Sequence, residues 1–233
     1  MHDHHHHHTE DHFSQSDLVR DVVIGMSDGL TVPFALAAGL SGVLTDNSLI
    51  LTGGIAEICA GSIAMGLGGY LAGRTEVEHY QSELKREYLE IETKPEAEKQ
   101  EVRDVFASYG LSKELQDKVV DEMATKPDQW VEFMMRFELG LEKPDERRAA
   151  KSALNIGVAY VVGGALPLLG YAFTNTPIDG LKISSALTVA CLFVFGYYKS
   201  KLTGQHPIKG ALRVTFIGVL AAAAAFAIAK WVA

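Results

Sequence analysis

Several carboxylates in this chain sit where a charge is costly or where its spacing suggests a purpose. Asp28 lies in SDGLTVPFALAAGL, a third of the way into an apolar segment long enough to cross a bilayer. A charge at such a depth costs at least about 2.5 kcal/mol on insertion scales, so these residues usually face a cavity, pair, or bind an ion. The competing reading is an Asp that caps the turn at Gly29. Pro33, five residues on, can kink the helix and free a backbone carbonyl. Glu57 lies about two turns into a second apolar segment, with no cationic neighbour in sequence. Met65 follows eight residues later, roughly 80° around the helix, so the two can line one wall. A lone Met in an apolar helix is more often core than ligand. It gains interest only beside Asp28 and Glu57.

A second set lies in a charged stretch. Glu87, Glu90, Glu98 and Glu101 form two i,i+3 pairs, each on one helix face and able to chelate a cation from two carboxylates. Pro95 lies between the pairs and folds them toward each other. Further on, EFMMRFE places Glu132, Met134, Met135 and Glu138 within two turns. Oxygen and thioether together suit a borderline first-row ion such as Fe2+ better than Mg2+ or Ca2+. Spacing alone leaves open a solvated acidic face beside an aromatic core. The CxxC, HExxH and phosphate-loop signatures are missing from the sequence, so the common zinc-hydrolase and NTPase chemistries find no support.

The elements that must carry these residues form two populations. Of 29 acidic and 21 basic residues, 20 and 14 fall within residues 74–152. The remainder is close to a pure membrane protein. Five apolar segments are long enough to span: about Val22–Leu44, Leu49–Gly73, Ala153–Phe173, Ile178–Tyr198 and Ile208–Val232. Neither Pro nor a turn cluster interrupts the chain between Leu49 and Glu92, so the second span is expected to run on as one helix protruding from the membrane. The predicted domains are an N-terminus at 1–16, spans one and two at 17–73, a helical metal-binding insert at 74–148, and spans three to five at 149–233. Within the insert, helices are predicted over about Pro95–Tyr109, from Ser112 to near Thr125, and from Pro127 to Leu139. Their expected core is Val102, Phe106, Leu111, Leu115, Val119, Met123, Trp130, Phe133 and Phe137. The fold class is thus an all-α membrane protein.

Lysine and arginine gather on one side, at Arg20, in the 74–152 stretch, and at Lys199, Lys201 and Lys209. The loops Thr45–Ser48 and Thr174–Pro177 carry neither. The positive-inside rule then puts the N-terminus and the insert in the cytosol and the C-terminus across the membrane. A net charge of −8 argues against nucleic acid as a partner. Cys59 and Cys191 read as packed apolar residues. The first 16 residues hold no apolar core of a signal peptide. His4–His8 reads as a purification tag or a native metal-binding tract and is left out of the fold argument. Small-xxx-small spacings at Gly25/Gly29, Ala64/Gly68 and Gly69/Gly73 allow close helix packing, within a protomer or across a dimer. Five helices rarely enclose a path alone, so a homodimer is expected.

Four stretches carry a resemblance: SDGLTVPFALAAGLSG, GGIAEICAGSIAMGLGGYLA, VEFMMRFELGLEKPDERRA and GGALPLLGY. Together they resemble the plant vacuolar iron transporters over essentially the whole chain after about Phe13. The resemblance implies a dimer of five-span protomers in the vacuolar membrane that exchanges cytosolic Fe2+ for lumenal protons. It assigns Asp28, Glu57 and Met65 to the translocation pathway. It assigns Glu87, Glu90, Glu98, Glu101, Glu132, Met134, Met135 and Glu138 to a cytosolic metal-binding domain. The ligand set does not separate Fe2+ from Mn2+, and Co2+, Ni2+ or Zn2+ are further candidates for the same sites. A membrane-anchored metal sensor and a membrane metalloenzyme remain the readings from other classes.

Overall fold

In this computed structural model, residues 12–232 are described, with side chains from Asp17 onward; His4–His8 lies outside them. Among the described residues the protein is helical without strands. The helices are α1 (His12–Ser41), α2 (Asn47–Thr93), α3 (Pro95–Ser108), α4 (Lys113–Ala124), α5 (Pro127–Phe133), α6 (Arg148–Ala172), α7 (Pro177–Leu202) and α8 (Pro207–Val232). A π-helical turn, Met134–Glu138, continues directly from α5. Five of the helices, α1, α2, α6, α7 and α8, are long and apolar enough to cross a membrane. The chain divides into two compact units, Met1–Tyr70 with Ala150–Ala233, and Leu71–Ala149.

Local chemistry sets most of the boundaries. Proline opens α3, α5, α7 and α8, where its missing N–H costs no hydrogen bond and its fixed φ suits a first turn. Asp46 accepts from the Ser48 backbone N–H at 2.8 Å beside the start of α2. Thr176 caps α7 by accepting from the Asp179 N–H. Helix α2 runs unbroken for 47 residues, as its lack of Pro requires.

In the apolar unit, helices approach closely where side chains are absent. A Cβ on Gly29 would collide with the Tyr160 carbonyl of α6, and one on Gly25 with the Ile156 carbonyl. The sequence spacing Gly25-x-x-x-Gly29 is therefore a packing seam between α1 and α6. We expect Gly29→Val to cost about 1–3 kcal/mol, as overpacking of a tight contact does. It should show as a fall of several degrees in the thermal midpoint of the detergent-solubilised protein. Polar ties reinforce the bundle. Ser41 donates to Tyr171 Oη at 2.9 Å, Ser184 donates to the Pro167 carbonyl at 2.6 Å, and the Asn47 amide donates to the Thr174 carbonyl at 2.7 Å. Large apolar residues on the outer faces, such as Leu154, Ile63 and Phe216, are exposed, as side chains bathed in lipid would be.

The second unit builds its core from Ile91, Val102, Val120, Trp130, Val131, Met134 and Met135, ringed by Tyr80, Leu84, Phe106, Met123 and Phe133. Two expected core residues lie elsewhere: Leu115 is 51% exposed and Phe137 49%. Val120, not Val119, is the deeply buried valine of α4. Phe137 instead tilts against Phe133 with ring centroids 4.9 Å apart and lies under the Arg136 guanidinium. The predicted last helix continues through Leu139 as an α-helix. The structure instead widens it at Met134, where the Leu139 N–H reaches back five residues to the Met134 carbonyl at 3.1 Å.

Candidate metal and ion sites

In the charged unit, α2, α3 and the π-turn bring Glu87, Glu90 and Glu101 within electrostatic reach of both Glu98 and Glu138. Pro95 turns the chain after α2, and α3 packs on the π-turn. Glu87 and Glu98 are almost completely buried, at 2% and 3% exposure, and each keeps one carboxylate oxygen with no hydrogen-bond partner. Unpaired buried oxygens of this kind carry a full desolvation penalty unless a proton or cation joins them. Burial, then the charges of Glu101, Glu87 and Glu90 and a hydrogen bond to Glu101, push Glu98 up to about 7. Glu138 is also pushed up to about 7, by burial of its carboxyl and by Glu101 and Glu87, while Arg86 pulls it down. Its outer surface stays open to solvent, so its environment is less closed than that of Glu98.

Arg86 faces the same cluster. Its guanidinium lies 2.8 Å from Glu83, 3.5 Å from Glu87 and 3.3 Å from Glu90. Among the described residues no group of three His, Cys, Asp or Glu side chains is already drawn together as a closed metal-binding set. Met134 and Met135 lie in the hydrophobic core, at 0% and 1% exposure. Glu132 is placed apart from the five. It lines a cleft of about 570 Å³ with Tyr80, Tyr88, Met135, Arg136 and Glu142.

In the apolar unit, Asp28 on α1, Glu57 on α2 and Tyr160 on α6 form one group. The Tyr160 hydroxyl donates to Glu57 Oε1, and Tyr160 lies within electrostatic reach of Asp28 as well. The other Glu57 oxygen is buried and unpartnered. Gly61 makes the arrangement possible, since a Cβ there would lie 2.5 Å from the Tyr160 ring carbon that bears the hydroxyl. Met65 is half-buried, one turn past Gly61 on α2. Glu57, Gly61 and Met65 thus repeat at i, i+4 and i+8 along one helix face.

Sequence reading missed Tyr160, Asp21 and Arg86. Asp21 is buried on α1 and accepts hydrogen bonds from Ser152 at 2.9 Å and Asn155 at 3.4 Å, both on α6. A tyrosine in an apolar run gives no sequence signal of its own. Asp21 did carry one, being seven residues before Asp28 and so on nearly the same helix face.

The known relatives of this chain are membrane transporters rather than enzymes, and this chain is one of that class. Residues 19–230 match the VIT family, and the chain belongs to that family. It is similar to vacuolar iron transporter 1 of Arabidopsis thaliana, at 52% identity over 96% of this chain and 90% of that protein. It is likewise similar to vacuolar iron transporter 1 of Oryza sativa subsp. japonica, at 51% identity over 97% of this chain and 90% of its relative. Protein CCC1 of Saccharomyces cerevisiae is more distant, at 38% identity over 90% of this chain and 67% of that protein.

Proposed function

We propose that this protein moves Fe2+ from the cytosol into the vacuole in exchange for protons, with the glutamate cluster of the second unit collecting the metal. The printed names of the relatives support iron and the vacuole. The observation that carries the exchange mechanism is the group of Asp28, Glu57 and Tyr160 among apolar helices, with one Glu57 oxygen free. Carboxylates bind either a proton or a metal ion, and in a low dielectric the two compete strongly. Carbonyl ligands would bind the ion without that competition. Proton arrival from an acidic lumen then expels Fe2+, and proton loss to the cytosol readies the site for the next ion. Met65 supplies the soft ligand on the same wall of α2.

The 74–148 segment lies in the cytosol, α2 carries it out of the membrane, and Glu87, Glu90, Glu98, Glu101 and Glu138 raise the local Fe2+ concentration. Met134 and Met135 border the cluster from the core side, and Glu132 supplies charge at the neighbouring cleft. Two protomers pair through α1 and α2. Ala56, Ala60, Ala64 and Gly68 repeat every fourth residue on the exposed side of α2, and a Cβ on Gly68 would meet open space, which suits close helix contact. Mn2+ is the nearest competing cargo, because the ligand chemistry accepts both ions.

The test is metal uptake into sealed liposomes bearing the purified protein, with and without an acidic interior. Fe2+ influx that depends on the gradient supports the exchange. Tight Fe2+ binding with no flux under either condition would sink it and favour a sensor. Tyr160→Phe keeps the ring against Gly61 but removes the hydrogen bond to Glu57. Uptake is expected to fall about tenfold rather than vanish, the size of one lost hydrogen bond to a charged group. An unchanged rate would remove Tyr160 from the pathway.

A further inference from the structure

We propose that Arg86 is the built-in counter-ion of the glutamate cluster, which a divalent cation must displace, and that it excludes monovalent cations from the site. This rests on the cluster being the metal-collecting site. Three carboxylates surround the Arg86 guanidinium, with Glu83 at 2.8 Å, Glu90 at 3.3 Å and Glu87 at 3.5 Å. Its charge also reaches Glu138 across the cluster. Glu87 and Glu90 are two of the predicted metal ligands, so the guanidinium and a metal ion draw on the same oxygens.

Arg86 is half exposed, at 50%, so its long side chain can swing into solvent at little packing cost. Glu87 is 2% exposed and stays behind when the arginine leaves. The exchange is one of charge density. A monovalent ion replacing a guanidinium brings the same charge with fewer directed hydrogen bonds, and so gains nothing. A divalent ion brings twice the charge to the same carboxylates and also reaches the unpartnered oxygens of Glu87 and Glu98, which the guanidinium leaves unbonded. A cluster of five carboxylates without Arg86 would instead attract K+, the abundant cation around it.

The test is Co2+ binding, as an air-stable stand-in for Fe2+, to the full-length protein in detergent. The insert's share is the binding that Glu98→Gln removes. Titrations run at constant ionic strength with KCl exchanged for choline chloride, whose cation is too bulky to enter the cluster. Arg86→Gln is expected to bind Co2+ about tenfold tighter than wild type in choline chloride, and to lose that advantage in KCl. Wild type and Arg86→Lys should show little difference between the two salts. Arg86→Met, which keeps an apolar stem without the charge, serves as a second neutral variant should the glutamine protein fold poorly. Wild-type affinity or weaker binding in both neutral variants, with no preference between the salts, would overturn the proposal. Wild-type Co2+ binding with no component sensitive to Glu98→Gln would overturn the cluster reading and this proposal with it.

Discussion

Glu57→Gln should bring gradient-driven Fe2+ uptake into liposomes down to the protein-free background, while the protein stays folded and keeps binding metal at its charged unit. Glutamine preserves the shape of the side chain and can still accept from the Tyr160 hydroxyl. It cannot exchange a proton, and it offers the ion no negative charge. Transport by competition between proton and metal therefore loses both partners at once. A loss on the order of a hundredfold or more is expected, since a divalent ion in a low-dielectric site depends on charged ligands. Asp28→Asn should behave alike, because Asp28 and Glu57 both lie within electrostatic reach of Tyr160. Two controls separate mechanism from misfolding: an unchanged thermal midpoint, and an unchanged Co2+ titration of the glutamate cluster. Full uptake by the Glu57→Gln protein would end the exchange scheme, whatever the cluster does.

The second large effect is the pH dependence of metal collection. With Glu98 and Glu138 both near 7, each is mostly ionised at about pH 8 and mostly protonated at about pH 6. A metal ion must displace both protons, so affinity should fall on the order of fiftyfold or more between those values. Stability of the metal-free protein should run the other way. Both carboxyls titrate above the ordinary glutamate value of 4.5 when folded. Their protonated forms therefore favour the native state. That contribution is fully present below about pH 4.5 and is lost as pH rises through about 7. The metal-free protein should melt lower at pH 8 than at pH 6, and Co2+ should raise the midpoint more at pH 8. Glu98→Gln should make the metal-free profile shallower, leaving the Glu138 share, and cut Co2+ binding about tenfold. A thermal midpoint of the metal-free wild type that rises with pH over this range would show that the cluster does not hold its protons as the geometry requires.

Much of this was legible in the sequence for identifiable reasons. The five long apolar helices follow from hydrophobic length, which the bilayer dictates and which needs no knowledge of partners. The unbroken 47-residue α2 follows from what its sequence lacks, and the stops near Gly110 and Gly140 from residues that accept positive φ. Asp28 and Glu57 stood out because charge in an apolar run is expensive. Tyr160 did not, because its hydroxyl acquires meaning only when α6 packs against Gly61 and Gly29. The two i,i+3 glutamate pairs gave the faces, but the place of Arg86 among them depends on a side chain reaching along α2. Periodicity also assumed 3.6 residues per turn through EFMMRFE. The π-turn breaks that count, which is why Phe137 was assigned to the core and lies outside it.

That wide turn gives the cluster unequal carboxylates. A helix with one residue too many resembles a crystal with a dislocation: the fault can slide a position by trading one hydrogen bond for the next, without melting the lattice around it. Glu98 and Glu101 ride on the regular α3, whereas Glu138 sits at the end of the fault, with the Met134 and Met135 carbonyls accepting from Leu139 and Leu141 across it. If the cluster takes metal as proposed, a slide of the fault would move one carboxylate while Glu98 and Glu101 hold still, and a single jaw would set the grip on ions of different radius. Deleting one residue between Met134 and Glu138 is expected to heal the fault and hold Glu138 on a regular α-helix. The deletion should narrow the range of divalent ions that the protein binds, measured as Co2+ against the larger Mn2+.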